Sequence, residues 1–246
     1  MKLKICHLYP DVLNLYGDGG NIICLRQRLQ WRGIDVTVDR CGIGDSLRAA
    51  DYDFFFIGGG QDFEQEVLLQ DLRGGKGDEL RAAVRDGKTF LAICGGYQIL
   101  GKSYRTWDGV QCDFLGAIDV ETVGQKERMI GNYVFTCDEL DGLTVVGFEN
   151  HSGRTYLGSD VRPIGRVLAG YGNNGEDHME GARWGNVFGT YSHGCLLPKN
   201  PVLADYLIRT ALETKHGTVE LAPLDDTLEQ SAHDYMVKRL LSQKQN

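Results

Sequence analysis

The stretch Thr89-Phe90-Leu91-Ala92-Ile93-Cys94-Gly95-Gly96-Tyr97-Gln98 admits few folds. Its short, nearly unbroken apolar run suits a strand buried on both faces of a parallel sheet. Two glycines after Cys94 give the backbone the freedom for a sharp turn into the next helix. The arrangement is a strand–nucleophile–helix elbow, with cysteine where hydrolases use serine. A thiol at a helix start lies in positive potential, which favours the thiolate. Taken alone, Cys94 could also be an inert core thiol, a common use of buried cysteine.

The flanking pattern supports a parallel sheet. Residues 3–9, 34–38 and 52–57 are predicted strands, and 21–31, 63–72 and 78–86 predicted helices, so strands and helices alternate in βαβ units. From about 110 to 183 the chain turns to glycine and short β-type runs, which read as antiparallel strands added to one side. Residues 186–191 form another apolar run that ends at Ser192-His193-Gly194. Residues 201–212 and 228–241 are predicted closing helices, with a frayed Gln-Lys-Gln-Asn end. No repeat or linker divides the chain. The expectation is one α/β domain over 1–246, with a mostly parallel sheet covered by helices and closing helices at about 201–242.

Composition excludes several classes. A net charge of −8 argues against nucleic acid or an anionic membrane as the main partner. Seven scattered cysteines, with no C-x-x-C pair, give neither a disulfide framework nor a metal site. No run approaches the ~18 apolar residues of a membrane span, and no leader is evident at Met1, so the chain is predicted to be cytoplasmic. The 33 glycines, about twice the usual share, point to tight turns and close backbone approaches.

Two phosphate-loop likenesses fail. Gly87-Lys88-Thr89 ends like a Walker A loop, but the required first glycine is Ala82. Gly17-Asp18-Gly19-Gly20 starts like a dinucleotide fingerprint, but its sixth position is Ile22. What remains is a constellation at strand ends, where ligand sites of parallel sheets gather. Cys94 is a candidate nucleophile, and His193, 193 − 94 = 99 residues later, a candidate base. Gly58-Gly59-Gly60 offers unhindered N–H groups that could join Gly95 in an oxyanion hole. Each feature alone has an ordinary reading: a loop histidine, a turn-making glycine run.

Gly-Gly-Gly after a strand, Cys-Gly-Gly-Tyr-Gln at an elbow and the late Ser-His-Gly resemble the class I, triad-type glutamine amidotransferases, within them the cobyric-acid-synthase-like branch. Leu13-Asn14-Leu15-Tyr16-Gly17-Asp18-Gly19-Gly20-Asn21-Ile22 and Gly147-Phe148-Glu149-Asn150-His151-Ser152-Gly153-Arg154-Thr155 are similar to glutaminase subunits that serve a Mur-type ligase. The resemblance implies a flavodoxin-like fold of the class I glutamine amidotransferase kind, with Cys94 as the nucleophile and His193 as its acid–base partner. It implies that Arg128 holds the glutamine carboxylate, which a guanidinium suits through two parallel charged hydrogen bonds. Gln98 would line the same pocket, and Gly59, Gly60 and Gly95 would donate to the oxyanion. Glutamine would be hydrolysed to glutamate and ammonia for a MurT-like ligase in a heterodimer. That ligase would amidate D-glutamate in lipid II during peptidoglycan synthesis. No cofactor or metal is expected in this chain; ATP and Mg are expected on the ligase.

One position departs from the pattern. Triad-type members carry glutamate two residues after the histidine, and here Cys195 stands there. A thiol cannot orient an imidazole as a carboxylate does. The expectation is a dyad whose third member is absent or is provided by a backbone carbonyl, a nearby carboxylate or, by preference, an acidic residue of the partner. The rival functions are a γ-glutamyl cysteine hydrolase, a glutaminase for corrinoid or other precursors, and an inactive scaffold.

Overall fold

Runs of apolar residues without alternation need a cover on both faces, and the computed structural model, which describes residues 1–60 and 62–243, gives them one. The first part of the chain lays down β1 (Lys2–Leu8), α1 (Gly20–Trp31), β2 (Asp35–Cys41), β3 (Phe54–Ile57), α2 (Asp62–Asp71), α3 (Gly77–Arg85), β4 (Thr89–Ile93) and α4 (Gly95–Leu100). Then come β5 (Ser103–Arg105), β6 (Gln111–Asp113), β7 (Val120–Cys137), β8 (Leu143–Leu157), β9 (Gly165–Ala169) and β10 (Met179–Glu180). The chain closes with β11 (Ala182–Trp184), β12 (Val187–Thr190), α5 (Pro201–His216) and α6 (Thr227–Gln243).

The first sheet has the order β11-β12-β4-β3-β1-β2. All its pairings are parallel except β11 with β12. β4 therefore lies between β3 and β12, with Ile57 beside Ala92 and Thr190 beside Ile93. This register brings the ends of β3, β4 and β12 to one edge of the sheet, with the end of β1 beside that of β3. The sheet interior is aromatic: Phe54, Phe55 and Phe56 are fully buried, and Phe55 stacks on Phe90 with centroids 4.6 Å apart. Burying one such side chain contributes about 1.5–3 kcal/mol.

The segment expected to be antiparallel forms a second sheet, β10-β9-β7-β5-β6, with β8 paired to β7; its pairings are antiparallel except β5 with β7, which run parallel. Its long β7–β8 ladder is interrupted between Gly124 and Met129. Such an irregularity releases residues from the pairing pattern and re-aims side chains; Arg128 sits in it. The predicted break between helices at 72–78 is instead a π-helical turn, Leu72–Lys76, relieved by Gly75 at φ 103°. Of the predicted frayed end, Gln243 closes α6 and the rest lies outside the described residues. Among the described residues, no helix is long and apolar enough to cross a membrane, and no group of His, Cys, Asp or Glu side chains is placed to hold a metal ion.

Candidate active site

Cys94 follows β4 with φ 47° and ψ −106°, a conformation that L-residues rarely adopt. Such strain costs on the order of 1–3 kcal/mol and is held by the surrounding structure. Here the Cys94 N–H donates to the Thr190 carbonyl (2.8 Å), and the Cys94 carbonyl accepts from the Gln98 N–H (2.9 Å). Gly96 is needed beneath it, because a Cβ there would lie 2.7 Å from the Gly58 carbonyl oxygen. The elbow expected from the sequence is present. Its helix, however, has only six residues, so the dipole is a small source of positive potential.

The nearer charge is His193, which is fully buried. Its backbone N–H donates to the Phe148 carbonyl (2.7 Å), and its Nδ1 bonds Asp18 Oδ2 (2.9 Å). A carboxylate accepts, so Nδ1 carries the proton and Nε2 is left for Cys94. Nε2 is buried with no hydrogen bond of full geometry, while Cys94 acts on the ring through charge and as a hydrogen-bonding neighbour. Loose contacts of this kind often tighten only with substrate. Burial, the largest influence, pulls the imidazole pKa down. Cys94 and Asp18 together outweigh it and raise it to about 10.

The orienting acid is thus Asp18 of this chain, which corrects the expectation that a partner supplies it. Asp18 is fully buried, and its Oδ2 also accepts the Gly59 N–H (2.9 Å). Gly59 is consequently not an oxyanion donor as expected: its N–H is given to Asp18. Cys195, where a glutamate was missing, ties down the loop that carries the replacement, its thiol donating to the Gly17 carbonyl (3.1 Å). The glycines of Gly17-Asp18-Gly19-Gly20 were the available signal. A Cβ on Gly20 would lie 2.2 Å from Cys195 Sγ, and one on Gly58 would lie 2.0 Å from the Leu13 carbonyl oxygen. Those glycines serve close contact of loops, not a phosphate.

A cavity of about 400 Å³ opens beside Cys94, lined among others by Tyr16, Gly60, Gln98, Arg128, Asn150 and His151. It brings Cys94, Gln98, Arg128 and Gly60 together, as the sequence reading anticipated. Gln98 Nε2 donates to the Tyr191 hydroxyl (3.0 Å). Arg128 is held by Asn150, with Nε donating to Oδ1 (2.8 Å) and Nη2 to the carbonyl (2.9 Å). Asn150 and His151 were not singled out from the sequence as site residues. His151 stacks flat on Tyr191 at 3.5 Å, and its Nδ1 donates to the Gly153 carbonyl (2.8 Å). Burial lowers its pKa to about 3, so it is neutral. Such a pocket pairs a fixed cation for an anionic group with a thiol and an oriented base.

Comparison with known proteins agrees with this chemistry. Residues 4–201 match the CobB/CobQ-like glutamine amidotransferase domain. The chain is 43% identical over 245 residues to the GatD subunit of the glutamine-hydrolysing lipid II isoglutaminyl synthase of Staphylococcus aureus, spanning 100% of this chain and 99% of that one. The GatD subunit of Streptococcus pneumoniae is 40% identical over 237 residues, 95% of this chain and 90% of its own. Among solved structures, a chain of PurLQS from Thermotoga maritima superposes with a TM-score of 0.56 at 18% identity, covering 87% of this chain and 97% of that one. A glutamine amidotransferase from the same organism gives 0.53 at 13%, over 97% and 98%. At those identities the two structures speak for the fold alone.

Proposed function

Since the chain belongs to the CobB/CobQ-like glutamine amidotransferases, we propose that it is the glutaminase subunit of a lipid II isoglutaminyl synthase. The observation that carries the reading is the Cys94–His193–Asp18 line at one sheet edge, with Arg128 across the same cavity. The Arg128 guanidinium receives the α-carboxylate of glutamine and leaves the side-chain amide near Cys94. The thiolate attacks the amide carbon, and the N–H groups of Gly60 and Gly95 stabilise the oxyanion. His193 gives its proton to the departing ammonia as the C–N bond breaks, leaving a γ-glutamyl thioester. Water, deprotonated by His193, cleaves the thioester to glutamate and free thiol. The ammonia passes to a MurT-like ATP-dependent ligase, which carries ATP and Mg²⁺ and amidates D-glutamate of lipid II in the cytoplasm. The names of the two GatD relatives, each a subunit of a glutamine-hydrolysing synthase, support this partner.

The test supplies the chain and a Mur-type ligase with glutamine, ATP and lipid II. Amidated lipid II is expected, lost in Cys94→Ala and restored to that variant by added ammonium. Faster cleavage of γ-glutamyl dipeptides than of glutamine, or no amidation under any nitrogen source, would overturn the assignment.

A further inference from the structure

Asn150 stands between two parts of the site that the reaction uses separately. Its side-chain oxygen and its carbonyl take two donors of Arg128, from Nε and Nη2. That fixes the guanidinium plane and leaves the Nη1 edge for a carboxylate. Its amide nitrogen donates in the other direction, to the Tyr16 hydroxyl. An amide can satisfy both neighbours in one orientation only, oxygen to arginine and nitrogen to phenol.

Tyr16 continues the chain of contacts. Its ring meets the His193 imidazole edge-on, with centroids 5.0 Å apart, and Phe148 at 5.6 Å. It is 43% exposed, and its backbone is left-handed at φ 57° and ψ 19°. Tyrosine disfavours that conformation, so the contacts of its ring with His193 and Phe148 and of its hydroxyl with Asn150 hold it there. The same loop is pinned on both sides of Tyr16. The Leu15 N–H donates to the Gly59 carbonyl (3.0 Å), and Asp18 takes the Gly59 N–H while it orients His193.

We propose that Asn150 and Tyr16 are positioning residues that couple the guanidinium of Arg128 to the imidazole of His193. A carboxylate seated on Arg128 then steadies Asn150, Asn150 steadies the Tyr16 ring, and the ring holds the imidazole toward Cys94. A ligand lacking the α-carboxylate engages the thiol without this support, which makes the device a specificity filter. The inference rests on the glutaminase reading for its substrate, but the coupling is a property of the substrate-free site.

The test uses the full chain with its ligase. Tyr16→Phe keeps the ring and removes the hydroxyl. It should raise KM for glutamine about three- to tenfold and lower kcat by a similar factor, the scale of one lost hydrogen bond at each end. Asn150→Ala should do at least as much, and the double variant should be no worse than Asn150→Ala, because both cut one chain of contacts. Multiplying effects, or a change in KM with kcat untouched, would overturn the coupling. A second readout needs no turnover: in the free protein, Asn150→Ala should shift the ring resonances of His193, and unshifted resonances would sink the proposal. If wild type releases no more ammonia than Cys94→Ala, the glutaminase reading fails, and the His193 resonances still decide the coupling.

Discussion

Asp18 and His193 are 175 positions apart in the chain and 2.9 Å apart in space. Replacing Asp18 by asparagine preserves shape but offers Nδ1 an amide donor as readily as an acceptor, which permits the wrong tautomer. Loss of such an orienting carboxylate has cost about 10⁴-fold in kcat where the triad has been dissected. We expect Asp18→Asn to lower kcat about 10³- to 10⁴-fold with KM for glutamine little changed. Activity within tenfold of wild type would show that His193 does not depend on this acid. Arg128 makes the opposite prediction. Losing a charged hydrogen bond costs about 1.5–3 kcal/mol, so Arg128→Ala should reduce kcat/KM for glutamine about 10- to 150-fold. Its ammonium-driven amidation with the ligase should survive; if that is lost too, Arg128 serves the interface or the fold.

At the scale of elements, the site is a meeting of loops at adjacent strand ends, and its tolerance is set by backbone clearance. A Cβ on Gly59 would lie 2.2 Å from His193 Cε1. Gly59 has no positive φ that would strain alanine, so the clash alone decides the outcome. Gly59→Ala should therefore fold with a melting temperature near wild type and displace the imidazole, costing at least about 100-fold in kcat, as expected of a misplaced catalytic group. Wild-type turnover in this variant would mean that the ring sits elsewhere. The same geometry explains what was legible in the sequence. β4, the elbow at Cys94 and the strand before His193 were readable because an unbroken apolar run and two glycines are local signals. Asp18 was not, because its partner is at the far end of the chain and its flanking glycines imitate a phosphate loop. The split into two sheets was hidden as well, since pairing between distant strands leaves no mark in the periodicity of either. Asn150 lies in a stretch that was singled out, but nothing local says that its amide faces an arginine.

For the whole molecule, pH should act through buried groups rather than surface ones. Burial raises Glu149 and Glu180 from 4.5 to about 7, with their mutual repulsion adding to the rise at Glu180 and N–H and hydroxyl donors opposing it. A raised pKa gives stability that is full below the unfolded value and is lost as pH climbs through the folded one. The two carboxyls should thus cost stability between about pH 4.5 and 7, and His193 between about 6.5 and 10. Burial lowers His151 to about 3 and His7 to about 4, so these work the other way, losing stability as pH falls below 6.5. The two sets oppose each other in mild acid, and the net decline lies on the alkaline side. Glu180→Gln keeps an oxygen for the Thr190 hydroxyl and the Tyr191 N–H, which Glu180 Oε1 accepts at 2.6 and 3.0 Å, but cannot ionise. It should melt about 2–8 °C above wild type at about pH 9 and no higher at about pH 5. An equal shift at both would trace the effect to packing. The distance along the chain between thiol and base also has a meaning in time. Cys94 leaves the ribosome 193 − 94 = 99 residues ahead of His193, a lag of about 5–20 s at ordinary synthesis rates. Throughout that lag the nascent chain has its nucleophile and its acid but no proton carrier between them. Only when β12 takes its place beside β4 is the thiol armed, so an unfinished copy cannot spill ammonia where no acceptor waits.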